Sequence, residues 1–268
     1  MHAVLQKPAV TTPRGRLDPQ SFHAHIDFHT FTPPADLELY LEHFWVIRTK
    51  HGQPYTSEQV MHKPYVDFFL SDQQSGIQGT FRDKRVYSAA ANCRIIGIRF
   101  RPGAFHAFYH SPLTRLLDTV SDPQELLSSM SCQHIQQLLK QDDQTIFEEL
   151  ARGLRALQPV PDPNIELLNN LIDAIELDES MKTVSGIAKS IGKSERWLQQ
   201  FFQEYVGVGL KWFLQRKRLL AAAETIRSGV DDWTALGYDA GYSSQQHFIS
   251  DFKKTIGKTP RQYKMEVE

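Results

Sequence analysis

Two groups of side chains suited to reading nucleic-acid bases stand fifty residues apart in the last third of this 268-residue chain. The first is Arg196, Gln199 and Gln200; the second is Gln245, Gln246, His247 and Ser250. Arginine forks onto a guanine edge, glutamine pairs with adenine, and serine serves either base. Ser194, Ser244, Arg218 and Lys253 flank the two groups with hydroxyls and cations of the kind that meet phosphate.

Such side chains work only if the backbone presents them on one face, and the surrounding sequence provides for that twice. Residues 194–207 align without a gap on residues 244–257, with serine, phenylalanine and glycine recurring and Leu198 becoming Phe248. The register continues to Phe213 opposite Tyr263. It also extends back to Ile187, Ile191 and Gly192 opposite Leu236, Ala240 and Gly241, with one extra residue in the second turn. A repeat of this kind marks two copies of one supersecondary unit. Each copy reads as a helix, a turn at glycine and a second helix with apolar residues three and four apart, which is helix-turn-helix spacing. Leu198, Phe201 and Phe202 form one inward stripe, and Phe248, Ile249 and Phe252 form the other. Ser194 and Ser244 are placed as N-caps, and Gly192 and Gly241 where a turn needs positive φ.

Residues 209–228 are rich in helix formers and end at Gly229. As one helix they would span roughly 30 Å, near the ~34 Å between equivalent major-groove faces. The run Arg216-Lys217-Arg218 fits either phosphate contact or a solvated helix face.

Ile187-Ala188, Gly192, Ser194, Leu198, Phe202, Gly207, Phe213, Arg218-Leu219 and Ala222 make one half of a specific pattern. Gly241-Tyr242, His247-Phe248, Phe252-Lys253 and the closing Gly257-x-Thr-Pro-x-x-Tyr263 make the other. Together they resemble the DNA-binding domain of the AraC/XylS family of bacterial transcription regulators over about residues 183–264. The resemblance implies two helix-turn-helix units joined by a long helix. It also implies binding to double-stranded promoter DNA as head-to-tail half-sites, and activation in partnership with RNA polymerase. Carried over by position, the base-facing residues are Arg196, Gln199, Gln200, Gln245, Gln246, His247 and Ser250. At Gln200 and Ser250 many relatives have arginine, which turns position 200 toward adenine or water-mediated contact. Leu236-Gly237 stands where Ile-Ala is commoner.

Charge divides the chain unevenly. Residues 181–268 hold 14 Lys and Arg against 9 Asp and Glu, and residues 1–180 hold 16 against 22. A positive module can approach phosphate while an acidic one stays off it. The length suits two domains, and Gln158-Pro-Val-Pro-Asp-Pro163 places the boundary between residues 1–158 and 164–268, with Asn164 as N-cap of the next helix. No apolar run suits a membrane span and the first residues lack a signal-peptide core, so a cytoplasmic protein is expected. Cys93 and Cys132 read as reduced, largely buried thiols. No catalytic signature and no cofactor motif stands out, so neither an enzyme activity nor a cofactor is expected.

The fold class expected is α+β, with a β-rich N-terminal sheet or barrel, a helical connector and an all-α C-terminal domain. Strands are expected at residues 65–70, 77–81, 85–88 and 94–100. Helices are expected from Pro102 through about His110, and at 123–130, 134–140 and 145–157. Leu41-Glu-His-Phe-Trp-Val, Pro64-Tyr-Val-Asp-Phe and Gly97-Ile-Arg-Phe-Arg-Pro-Gly-Ala resemble a poorly characterised sensor-like domain found ahead of AraC-type modules. That likeness implies a regulatory β-domain without naming a ligand. A small-molecule or protein effector is expected there, with Trp45, Tyr65, Phe68, Arg99 and Arg101 as pocket candidates; core packing for most of the aromatics and solvent for the arginines are the alternatives. His23, His25, Asp27 and His29 would share a strand face, but their spacing misses the cupin metal pattern and no metal is expected. Leu138-Leu139, Ile146-Phe147, Leu150 and Leu154 offer a stripe for a homodimer or for packing on their own domain. A domain serving only dimerisation, and an Ada-type DNA-repair alkyltransferase, are the alternatives; the latter needs a metal-activated cysteine cluster that two scattered cysteines do not supply.

Overall fold

The computed structural model describes residues 15–109, 111–178 and 180–267. The expectation about the first residues of the chain and the end of the short helix at His110 lie outside these. Among the described residues no helix is long and apolar enough to cross a membrane.

Among the described residues, the first helix is α1 (Pro19–His25), started by Pro19 at its first position and by the Asp18 carboxylate, which accepts from Ser21 N at 2.9 Å. Eight strands follow: β1 (Ile26–Phe31), β2 (Leu41–Thr49), β3 (Tyr55–Gln59), β4 (Asp67–Ser71), β5 (Gly76–Gln78), β6 (Arg85–Ala89), β7 (Arg94–Phe100) and β8 (Val120–Ser121). Six of them form one antiparallel sheet in the order β1-β2-β7-β4-β5-β8, and β3 pairs with β6 as a separate two-stranded ribbon. The architecture is therefore an open sheet with a ribbon laid over it.

Period-two alternation gives the sheet two different faces. Phe44 and Val46 of β2, Phe68 and Leu70 of β4, and Ile96, Ile98 and Phe100 of β7 join the main core. Trp45, Ile47, Phe69 and Ile95 point to the opposite face, where they meet Phe22, Phe28 and Tyr55. Helices α2 (Cys132–Leu138) and α3 (Asp143–Ala156) cover the first face. Phe147 lies with its ring 4.7 Å from that of Phe44 and 5.2 Å from that of Phe31, and Ile146, Leu150 and Leu154 are fully buried beside it. Burial of each such side chain is worth about 1.5–3 kcal/mol. The stripe expected to offer a dimer surface is thus consumed by its own domain.

The histidine expectation is corrected. His23 and His25 belong to α1, because the Asp18 cap and Pro19 start a helix that ends only at His25. His25 stacks on Tyr55 at 5.0 Å, while His29 lies on β1 with Nε2 2.9 Å from Asp27 Oδ1. Among the described residues, Cys93 is half-buried and Cys132 is exposed, so the expectation of two buried thiols holds for neither in full. The segments expected as helices at 102–110 and 123–130 contain single 3-10 turns, Ala104–Ala107 and Pro123–Glu125.

The C-terminal half is helical: α4 (Pro163–Leu177), α5 (Val184–Ser190), α6 (Glu195–Val206), α7 (Leu210–Arg227), α8 (Trp233–Asp239), α9 (Gln245–Ile256) and α10 (Pro260–Val267). Asp162, rather than Asn164, caps α4: Pro163 takes the first helical position and the Asp162 carboxylate accepts from Asn164 N at 2.9 Å. The core does not stop at the proline-rich stretch. One apolar cluster runs from Phe44 and Phe105 through Leu168 of α4 to Leu198, Phe202 and Phe213. A second surrounds Phe248, Phe252 and Tyr263 and takes in Leu17 and Val60 from the N-terminal half.

Candidate nucleic-acid interface

Each recognition helix is opened by a serine and closed by a glycine. The Ser194 hydroxyl accepts from Trp197 N at 3.1 Å and that of Ser244 from His247 N at 3.3 Å. Gly207 and Gly257 end the two helices at φ 79° and 87°, and the turns before them pivot on Gly192 and Gly241 at 66° and 76°. These are left-handed conformations that a side chain resists. Leu198, Phe201 and Phe202 of α6, and Phe248 and Phe252 of α9, point into the two cores. That orientation leaves Arg196, Gln200, Gln246, His247, Ser250 and Lys253 exposed on the outer faces, with Gln199 and Gln245 half-buried beside them. Gln199 leans back over the N-cap of α7, its Oε1 standing 2.5 Å from where a Cβ on Gly209 would lie. His247 Nε2 is 3.6 Å from Asp251 Oδ2.

The linking helix α7 has 18 residues, two fewer than the stretch expected from the sequence; at about 1.5 Å per residue it is ~27 Å long. Its basic run does not present a common face. Arg216 is 4% exposed and donates through Nη2 to the main-chain carbonyl of Arg82 in the N-terminal half. Burial pushes its guanidinium down to about 10. Lys217 donates to the carbonyl of Ile175 in α4. Arg218 lies over the Tyr242 ring at 5.6 Å, half-buried beside the Gly241 turn. The reading of the run as a phosphate-binding face is therefore corrected for Arg216 and Lys217, which brace the helix.

The N-terminal half grips both units. The 3-10 turn Leu113–Leu116 packs on Gly207, whose missing Cβ would stand 3.1 Å from the Leu113 carbonyl oxygen, and the His106 ring lies 4.7 Å from that of Tyr205. At the second unit, Tyr263 OH donates to the Leu17 carbonyl at 3.3 Å. Glu58 of β3 reaches Lys84 Nζ at 2.5 Å and Lys258 Nζ at 3.5 Å, and Lys84 passes over the Gly257 turn.

The same ribbon turns its other face to a cleft of about 610 Å³ above the sheet. Gln59, Arg85 and Tyr87 of the ribbon look down on Phe28, Trp45, Phe69 and Ile95. Trp45, Tyr65 and Arg99 line this cleft, as the pocket expectation has them. Phe68 does not: it alternates with Asp67 and Phe69 and is fully buried in the main core. Arg101 lies past the end of β7 and pairs with Asp173 of α4 at 3.1 Å. Arg99 is held by both oxygens of Asp67, 2.9 and 2.8 Å, and lies 3.6 Å above the Tyr65 ring. Arg16, Gln59, Arg85 and Tyr87 also line the cleft and are not among the residues the sequence singles out for a pocket. The alternation Arg85-Val86-Tyr87 within an expected strand was the one signal for the ribbon's inner face.

Residues 187–266 match a helix-turn-helix domain model, and residues 29–122 match a domain of unknown function, DUF6597. The F1 operon positive regulatory protein of Yersinia pestis is 34% identical over 100 residues, covering 37% of this chain and 33% of that protein. The chain thus spans about a third of the length of that relative. The transcriptional activator RhaS of Escherichia fergusonii is 24% identical over 259 residues, covering 89% of this chain and 85% of that protein. Among solved structures, apo ToxT of Vibrio cholerae aligns with a TM-score of 0.37 at 12% identity, over 84% of this chain and 98% of that one. The C-terminal third is a double helix-turn-helix domain. The relatives named here are regulators of transcription.

Proposed function

We propose that this chain is a cytoplasmic, sequence-specific regulator of transcription that binds double-stranded promoter DNA and is modulated by an effector in the N-terminal cleft. Arg196, Gln199 and Gln200 read one half-site, and Gln245, Gln246, His247 and Ser250 read the next. Lys253 and the outer edges of Ser194 and Ser244 take phosphate. Arg218, lying over the Tyr242 ring, has a smaller share. RNA polymerase is the implied partner of an activator. The carrying observation is that two capped helices of matching build, α6 and α9, present polar faces left exposed by every element packed behind them.

The effector reading rests on the ribbon of β3 and β6, one face of which walls the cleft while Glu58 on the other ties to Lys258 beside α9. A ligand that moves the ribbon shifts the second unit relative to the first, which is the differential contact that linkage requires. The stripe on α3 is buried within its own domain, so a dimerisation scaffold would have to use another surface.

The test is a duplex selected by the full chain from a random pool, followed by anisotropy titrations with five base pairs inserted between the half-sites. That insertion turns one half-site to the far side of the double helix. A fall toward non-specific affinity is expected; full affinity after insertion overturns the bipartite geometry.

A further inference from the structure

The cleft beneath the ribbon has one wall of hydrocarbon and one of donors. Phe28, Trp45, Ile47, Phe69 and Ile95 make the first; Arg16, Arg85 and Arg99 stand in the second. Its volume of about 610 Å³ falls within the ~300–1,000 Å³ typical of sites for small ligands.

Two N–H groups on residues that line the cleft, one from each wall, are buried without a hydrogen-bond partner: Nε of Arg16 and the indole Nε1 of Trp45. The two residues are 9% and 8% exposed. Arg16 is fixed in place: Nη1 donates to Ser57 Oγ at 2.8 Å, and the guanidinium lies 4.4 Å from the Phe22 ring centre and 5.3 Å from that of Tyr87. Two of the acceptors that line the cleft are already engaged. Asp67 gives both oxygens to Arg99, and Gln78 Oε1 faces Arg85 Nη1 at 3.4 Å. Among the described residues that line the cleft, Asp67 is the only acid against Arg16, Arg85 and Arg99, a surplus of two positive charges. A buried cation without a counter-charge and a buried donor without an acceptor are both costly, and a ligand that brings negative acceptor oxygens relieves both.

Resting on the reading of this cleft as the sensor site, we infer that its ligand is a small organic acid, with its carboxylate set against Arg16 and an apolar body packed on Trp45 and Phe69. An ionised carboxylate offers only acceptors, and a charge-assisted bond to guanidinium is about twice as strong as a neutral one. A neutral ligand leaves the charge surplus in place, and a cationic one adds to it.

Calorimetric titration of the full chain with phenylacetate, indoleacetate and decanoate, each beside its primary amide, tests the inference. At least one acid binds, its amide binds about tenfold or more weaker, and Arg16→Gln removes the preference for the acid. Trp45→Phe keeps an aromatic ring of smaller size and removes the N–H, so it weakens acid binding, and circular dichroism checks that both variants remain folded. Amides that bind as tightly as the acids, acid binding unchanged in both variants, or no heat from any acid at millimolar concentration overturns the inference. Anisotropy on the selected duplex separates it from the sensor reading. An acid that binds without altering DNA affinity removes the sensor role and keeps the ligand class; a neutral ligand that alters DNA affinity through the cleft does the reverse.

Discussion

Arg216, in the middle of the helix that links the two DNA-reading units, hydrogen-bonds the backbone carbonyl of Arg82 in the N-terminal half. A side chain that the sequence offers to phosphate or to solvent is instead a strut between halves of the molecule. Arg216→Ala leaves the carbonyl without this donor and should lower stability by about 1–3 kcal/mol, read as the urea midpoint of the full chain. The slope of log affinity against log salt should stay unchanged. A reduced slope would put Arg216 on phosphate after all.

Lys253 gives the complementary result. It is exposed on the outer face of α9. Lys253→Ala should weaken binding to all duplexes alike and reduce the salt slope by about 1, with the urea midpoint little changed. Loss confined to one operator position would make it a base contact.

For the base readers, Arg196→Ala and Gln246→Ala should each cost about 1–3 kcal/mol of discrimination at one operator position. Competition titrations against a panel of single-base variants of the selected duplex measure this. A uniform loss over the panel would contradict the assignment.

Stability should fall in acid, beginning near neutrality. Burial, reinforced by Arg99, holds the His43 imidazole neutral down to about 3, with Glu42 and Lys63 as its other charged neighbours. The unfolded imidazole takes its proton near 6.5. The folded state therefore loses ground as pH drops from there toward 3, by at most about 1.4 kcal/mol per pH unit. Burial opposes the Glu42 carboxylate, but Lys63, 3.0 Å away, together with Arg99 and His43, brings it down to about 2; its contribution is present above 4.5 and fades below. His43→Gln should flatten the dependence of the urea midpoint between pH 6.5 and 4.5 and leave the steeper decline below it. An unchanged profile would mean that His43 titrates freely when folded.

Gly97 makes room for the Trp45 ring, which lines the cleft. A methyl group there would stand 2.6 Å from the Phe68 carbonyl oxygen and 2.6 Å from the Trp45 ring. Gly97→Ala should cost about 1–3 kcal/mol through overpacking and quench or shift tryptophan fluorescence as the indole is displaced. Wild-type stability would show that the strand gives way without strain.

The two helix-turn-helix units were legible because their signals are local: a serine cap, a glycine at positive φ and an apolar period of three and four, all within fourteen residues and stated twice. The N-terminal half was legible only in part. β4, β6 and β7 carry enough β-branched and aromatic residues to stand out, whereas β3, Tyr-Thr-Ser-Glu-Gln, is a polar ribbon strand with no such signature. Alternation separated Phe68 from Phe69 without saying which face was core. Contacts such as Arg216 with Arg82 join residues 134 apart, and no local pattern announces a carbonyl that arrives from so far along the chain.

The ribbon of β3 and β6 has a consequence for how such a molecule can be re-tuned. Its two-residue period sorts side chains into two vocabularies: Gln59, Arg85 and Tyr87 on the inside, Glu58 on the outside. On the proposed sensor reading, what is recognised and what is reported would be written on alternate letters of the same short word. Changing the inner letters should give a regulator that answers to a different chemical while its output wiring stays intact, and changing the outer one should alter the gain of the response to the original chemical.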